Sequence, residues 1–387
     1  MKRIRAAVLA VLLLLVAAVF IYYEGATLRT VFADAFMQPA TVAARELTAY
    51  EQNYYFSQLT DIQKQAYALI YQEIFDFPEE IKVPSITEED FNAVHAALVY
   101  DDPALFFLDS VCTMVFHWNY CVYRPAYVCT KETYSAMMAA VQTARTEIYA
   151  SIPDAADDYE KEKAVHDRLI ARCRYEDGDW SSGIYGALVE GKAVCSGYAR
   201  AAQFLLDGLG IRNYLVTGQA GSEDDRENHM WNTVFIDGNP YYLDVTWDDG
   251  DYENGSAGYA YFNVTEGALA GTHVPENPES SGCEYLDANY FVREGLYFSS
   301  CGGAYVSAFT QKLGERLAAG DTTFDTAYAS AELLEEAVAL LIDGQGIYDI
   351  LRDAREQTGL YMQTDYINYS VDEQRCVLRL DLTENLS

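Results

Sequence analysis

The chain has 387 residues, 50% of them hydrophobic and 14% aromatic, which is apolar material enough for two or three packed domains and excludes wholesale disorder. Its 59 acidic residues against 26 basic ones leave a formal net charge of -33, which excludes nucleic acid as a partner because a phosphate backbone would be repelled. The same surplus predicts a strongly solvated surface.

The chain opens on MKRIRAAVLAVLLLLVAAVFIYYEG, in which Lys2, Arg3 and Arg5 precede an unbroken apolar run from Ala6 to Tyr23. As a helix that run spans roughly 27 Å, close to the core of a bilayer. The basic flank stays in the cytoplasm, so residues beyond 24 are expected outside the membrane, held by one N-terminal anchor. A cleaved signal peptide is the alternative. The run is long for one, and Tyr22, Tyr23 and Glu24 make a poor small-residue cleavage site. In either case the body of the chain is exported, to the outer face of the cell membrane or to the medium. Cysteines at 112, 121, 129, 173, 195, 283, 301 and 376 then predict some disulfides, with Cys112 to Cys121 or Cys129 and Cys283 to Cys301 as candidate pairs. No CxxC pair occurs and the histidines are scattered, so neither a metal nor another cofactor is expected.

Residues 25–150 read as a mainly helical region with one hairpin. Leu59, Ile62, Ala66, Leu69, Ile70 and Ile74 recur at helical intervals, and a second helix begins at Thr87 with Glu88 and Glu89 in its first turn. His95 is a residue of that helix. Residues 105–130 are rich in aromatic and β-branched side chains around Trp118-Asn119 and predict a hairpin; His117 within it has no acidic partner nearby in sequence. A helix over KETYSAMMAAVQTARTEIYAS follows, then another over DAADDYEKEKAVHDRLIARCRYEDGD with Ala164, Val165, Ile170 and Cys173 on its apolar face. His166 and Asp167 are adjacent there, and adjacent helix residues point about 100° apart, which argues against their facing each other.

In GKAVCSGYARAAQFLLDGLG, Tyr198, Ala201, Ala202, Leu205 and Leu206 form one stripe and Gly208 and Gly210 supply the stop, so Cys195 sits at a helix start. A thiolate is the nucleophilic form of cysteine, and the unpaired N–H groups of a helix start favour it. NHMWNTVFIDGNPYYLDVTWDDG reads as a hairpin, with strands His229–Ile236 and Tyr241–Trp247 around Asp237-Gly238. Opposite residues of an antiparallel hairpin have position numbers of constant sum, 475 for a two-residue loop and 477 for a four-residue loop; His229 and Asp244 sum to 473. All are odd, so both loops place His229 and Asp244 on one face, and the shorter sets Asp244 opposite Trp231, a diagonal step from His229. A carboxylate there can orient an imidazole and stabilise its protonated form. Trp231 and Tyr198 are the candidate substrate- or site-shaping residues, although a buried tryptophan is the first reading of Trp231 and a shield over the site the second. The acids at 244, 248, 249, 251 and 253 do not fit a calcium-loop spacing and read as a solvated acidic loop.

These three stretches resemble the motifs of the transglutaminase-like superfamily: a cysteine at a helix start, H-x-W-N on a strand, and L-D-x-T-W-D on the next. VHDRLIARCRYED is similar to the helix and strand that often precede the cysteine motif, and the resemblance spans roughly residues 155–265. It implies an α+β, papain-like core, with a helix packed on an antiparallel sheet. It also implies Cys195, His229 and Asp244 as nucleophile, base and orienting acid, working through an acyl-thioester on amide bonds of proteins or peptides, cell-wall peptides included. Water as the second substrate makes a protease or amidase, and an amine makes a crosslink. One oxyanion donor is the Cys195 N–H or a group within 180–192. A catalytically silent surface scaffold with the same fold is the alternative. The expected organisation is an anchor at 1–24, the helical region at 25–150, the core at 151–271, a linker and extension at 272–306 around THVPENPESSG, and a small α+β module at 307–387. That module reads as one helix, one strand, two helices and a terminal hairpin.

Overall fold

The computed structural model describes residues 41–386 apart from 110, 251–257, 277–281, 361–362 and 364–365, so the anchor or signal segment lies outside the described residues. Among the described residues no helix is long and apolar enough to cross a membrane. The chain divides into two compact units, one up to residue 135 and one from residue 136.

In the first unit, helices α1 (Asp61–Ile74) and α2 (Glu88–Asp101) each start with a capping box, Thr60 with Gln63 and Thr87 with Asp90. α1 packs on α2 and on an antiparallel sheet of order β1-β3-β2, made of β1 (Ile81–Pro84), β2 (Thr113–Phe116) and β3 (Tyr120–Arg124). The hairpin β2–β3 lies where the aromatic run predicts it. β1 is an addition to the helical reading: Pro78 and Pro84 bracket a stretch too short for a helix, and Ile81 and Val83 alternate into the core. His95 packs on Phe91 and Tyr123 inside this core.

The second unit opens within helix α3 (Lys131–Tyr149), followed by α4 (Asp158–Arg172), capped by Asp157 and Glu160. Two short parallel strands, β4 (Arg174–Tyr175) and β5 (Lys192–Ala193), lead into α5 (Cys195–Gly208). α5 buries Tyr198, Ala201, Ala202, Leu205 and Leu206 against β6 (Asn213–Ser222) and β7 (Asp225–Ile236). With β8 (Asn239–Leu243) and β9 (His273–Pro275) these form an antiparallel sheet of order β8-β7-β6-β9. This is the α+β, papain-like arrangement of a helix on an antiparallel sheet. Ile236 pairs with Asn239 across Asp237-Gly238, whose φ values of 53° and 84° belong to a two-residue turn, so the register sum is 475. β8 ends at Leu243, however, and α6 (Val245–Gly250) replaces the expected continuation to Trp247. The Asp244 carboxylate causes the break by capping that helix, as described below.

The C-terminal elements are β10 (Tyr297–Phe298), α7 (Tyr305–Ala319), β11 (Thr323–Tyr328), α8 (Ala331–Val338), α9 (Gly346–Thr358), β12 (Asn368–Asp372) and β13 (Val377–Asp381). Their sheet has order β10-β11-β13-β12, and β12–β13 is the predicted terminal hairpin. The disulfide expectation is not met: all eight cysteines are unpaired. The sulfurs pack singly, Cys121 against the Ile86 carbonyl and Cys301 against the Leu333 carbonyl, with Cys283 fully buried.

Candidate functional site

Cys195 is the first residue of α5, and the helix's initial bonds run from the Gly197 and Tyr198 N–H groups to the Val194 carbonyl. The turn is tight because residue 197 is glycine. A Cβ there would lie 2.8 Å from the Ala193 Cβ and collide with the Ser181 carbonyl oxygen. β7 passes beside this helix start and is tied to it by Asn232, whose amide donates to the Ala199 carbonyl at 3.0 Å. Three residues earlier on β7, His229 lies close enough to Cys195 for the sulfur to be one cause of its raised imidazole. Its Nε2 lies 2.6 Å from Asp244 Oδ2, so Nδ1 is the ring nitrogen left for the sulfur.

Asp244 does two jobs with one carboxylate. Oδ1 accepts from the Thr246 and Trp247 N–H groups at 3.0 and 3.2 Å, which caps α6. Oδ2 accepts from His229 and also from His273 Nε2 at 3.0 Å. All its acceptor capacity is therefore used, at a position that is 1% exposed. Burial alone would raise the Asp244 carboxyl; the His229 and His273 imidazoles outweigh burial and hold it well below the usual carboxylate range. Burial alone would also lower His229, and the Asp244 carboxylate and Cys195 thiol reverse that, lifting the imidazole to about 10. His273 remains depressed by burial and by its cationic neighbours His229 and Arg375. It therefore acts as a neutral donor to Asp244, with Nδ1 at 2.9 Å from the Thr272 hydroxyl.

His273 comes from the segment expected to be a linker. It enters the site because β9 pairs with β6, with Ala220 opposite His273. Gly218 lets β9 come in close: a Cβ there would meet Trp231 Cη2 at 2.8 Å and the Val274 carbonyl oxygen. The strand is only His273-Val274-Pro275, too short for any alternation to register in the sequence.

The two expected shaping residues both lie behind the site. Trp231 is 1% exposed and stacks on His229 with centroids 6.0 Å apart, with its edge toward His273. Tyr198 is fully buried and donates its hydroxyl to Asp249. Neither presents a surface to a substrate. Exposed Tyr175 does lie near the sulfur: it pairs with Ala193, and its phenol is raised by burial and then by Cys195, Glu227 and Asp177.

The described part of the acidic stretch is likewise not a solvated loop. Asp244, Asp248 and Asp249 tie the six-residue α6 to three other parts of the core, the first to β7 and β9, the second to α4 and the third to α5. A helix this short has no stability of its own, so these bonds place it. The second is also a correction to the reading of α4. His166 is fully buried, with Nε2 at 3.1 Å from Asp248 Oδ2 and Nδ1 at 3.1 Å from Asp167 Oδ1. The 100° separation of adjacent helix positions therefore does not keep the two side chains apart.

His229, Asp244 and His273 offer three ligand atoms within 4.8 Å of one another. A divalent ion at about 2.0–2.2 Å from each would hold those atoms more than about 3 Å apart. The His229–Asp244 separation of 2.6 Å is that of a hydrogen bond, so a metal would fit only after the imidazole moved.

A family model described as the transglutaminase-like superfamily matches residues 147–245, which include Cys195, His229 and Asp244 but not His273. No curated protein matches the sequence. Among solved structures, a TGase is 15% identical, with a TM-score of 0.26 and coverage of 43% of this chain and 50% of that one. A proposed cysteine protease from Cytophaga hutchinsonii is 14% identical, with a TM-score of 0.26 and coverage of 42% and 64%. The chain thus spans less than two thirds of either. The family match and the helix-on-sheet core agree: residues 147–245 of this chain are a domain of the transglutaminase-like superfamily.

Proposed function

We propose that the chain is an exported thiol enzyme, anchored at the outer face of the membrane, that acts on amide bonds of proteins or peptides. The observation that carries the reading is the convergence of Cys195, at a helix start, on an imidazole whose other nitrogen is held by a buried carboxylate. In this reading His229 Nδ1 already holds the proton given up by Cys195, and the sulfur attacks the amide carbonyl carbon. The Cys195 N–H, in the first turn of α5, faces the developing oxyanion. The C–N bond breaks as His229 returns its proton to the departing amine, leaving an acyl-thioester. Water, deprotonated by His229, releases a carboxylic acid; an amine in its place forms a new amide. Asp244 keeps the proton on Nε2 and the ring in plane throughout, and His273 fixes Asp244 in turn.

The test is incubation of a peptide library, with and without an added primary amine, with wild type and Cys195→Ala, read by mass spectrometry. Cleaved or amine-linked peptides formed only by wild type support the reading and tell hydrolysis from transamidation. A folded wild type that changes no peptide, and whose Cys195 forms no adduct, would instead favour a silent scaffold.

A further inference from the structure

We propose that His166, on α4, is a positioning residue that sets where Asp244 meets His229. The inference rests on the thiol-enzyme reading above and assigns that site a second histidine–aspartate pair behind the first. The connection is a closed loop of short bonds. His166 Nε2 meets Asp248 Oδ2 at 3.1 Å. The other oxygen of Asp248 accepts the Tyr261 N–H at 2.9 Å. The Tyr261 carbonyl accepts the Asp244 N–H at 3.1 Å, and the Asp244 carbonyl accepts the Asp248 N–H at 3.2 Å. Asp244 is therefore held at its backbone by a ring that closes through the Asp248 carboxylate, while its side chain is committed to His229 and His273.

A fully buried carboxylate stays in such a ring only when a cation faces it. His166 faces it: burial alone would lower its imidazole, and Asp167 and Asp248 lift it to about 9, while burial still holds Asp248 above the usual carboxylate range against the pull of His166. Asp167 Oδ1 accepts from His166 Nδ1 at 3.1 Å and from the Tyr259 hydroxyl at 2.8 Å, while Lys163 pairs with Asp167 Oδ2 at 2.8 Å. The aromatic rings of Tyr259 and Phe262 close over the imidazole, with centroids 5.2 and 5.1 Å away. Without His166 the Asp248 carboxylate would be buried unpaired. It would take up a proton or turn away, and the ring through Tyr261 would loosen. Asp244 would then present Oδ2 to His229 at a different depth, and an imidazole–carboxylate bond of 2.6 Å leaves little tolerance for that.

The experiment uses the full chain and the variants His166→Gln and Asp167→Asn, the second at a partly exposed side chain. Leu380→Ala, in the core of the C-terminal sheet, serves as a stability control. Three quantities are read: the melting temperature, the rate of iodoacetamide alkylation at Cys195 by peptide mass spectrometry, and the titration midpoint of the His229 imidazole by NMR. His166→Gln is expected to slow Cys195 alkylation at least tenfold and lower the His229 midpoint by at least one pH unit, with Asp167→Asn changing both in the same direction by less. Leu380→Ala is expected to lower the melting temperature and change neither. A folded His166→Gln or Asp167→Asn protein with wild-type alkylation and wild-type His229 titration would overturn the proposal. If wild-type Cys195 reacts no faster than Cys112 or Cys129, the enzymatic reading fails, and the His229 titration still decides whether His166 positions Asp244.

Discussion

The substitution Asp244→Asn changes one atom type at the point where four hydrogen bonds meet. The Asn carbonyl can still cap α6 through the Thr246 and Trp247 N–H groups, so the helix is expected to remain. Its amide then points two N–H donors at the Nε2 atoms of His229 and His273, which themselves donate in the wild type. His229 must lose its Nε2 proton or the contact breaks. In wild type the carboxylate and the thiol lift His229 to about 10 against burial. From an ordinary value of about 6.5 that is on the order of 5 kcal/mol favouring the imidazolium. With the carboxylate gone, burial acts against little opposition, and the midpoint is expected to fall by more than two pH units. Breaking a buried pair from one side costs about 3–5 kcal/mol of stability. Loss of the correctly held base is expected to reduce turnover by about 10²–10⁴-fold. The assay combines NMR titration of the His229 ring with the alkylation rate of Cys195. A variant whose His229 still titrates near 10, and whose Cys195 reacts within threefold of wild type, would refute the role given to Asp244.

Gly218→Ala is expected to push β9 off β6 and carry His273 with it; unfolding in urea should show a loss of a few kcal/mol, and Trp231 fluorescence should shift. His273→Phe leaves Asp244 one donor short, at a cost of about 1–3 kcal/mol in urea unfolding, while His229 keeps its own bond and Cys195 alkylation falls less than tenfold. Stability should also depend on alkaline pH. His166 and His229 are raised to about 9 and about 10 in the folded chain, so their contribution is fully present below about 6.5 and is lost as pH rises through those values. Unfolding free energies from urea titrations at pH 6.5 to 10 should fall by several kcal/mol in total, and a flat profile would contradict the charged state of both rings.

The parts of the fold that were legible in sequence are those whose signals are local. The stripe of α5, the Asp237-Gly238 turn and the alternation of β7 define one helix and one hairpin register, and together they set Cys195, His229 and Asp244 on one side. The same parity argument ran four residues too far on β8, to Trp247 where the strand ends at Leu243. A strand reading of Asp244-Val245-Thr246-Trp247 is reasonable by β propensity, but an aspartate can accept from the N–H groups two and three residues on, and here it turns the chain into a helix. The contacts of His273 with Asp244 and of His166 with Asp248 were invisible for a different reason. The partners are 29 and 82 residues apart, and no periodicity links positions joined only by the pairing of a three-residue strand or the packing of two helices. Compartment suggested disulfides, yet all eight cysteines are free, and Cys121, Cys173 and Cys283 are buried as small apolar side chains.

Trapping an acyl-enzyme tests the central claim most directly. Wild type, His229→Ala and Cys195→Ala are mixed with an activated ester of a blocked glutamine peptide, quenched in acid, and digested for mass spectrometry. The account predicts the acyl mass on the peptide carrying Cys195 in wild type, its near loss in His229→Ala, and its absence in Cys195→Ala. A folded wild-type protein whose Cys195 stays unmodified, or is acylated equally without His229, would contradict it.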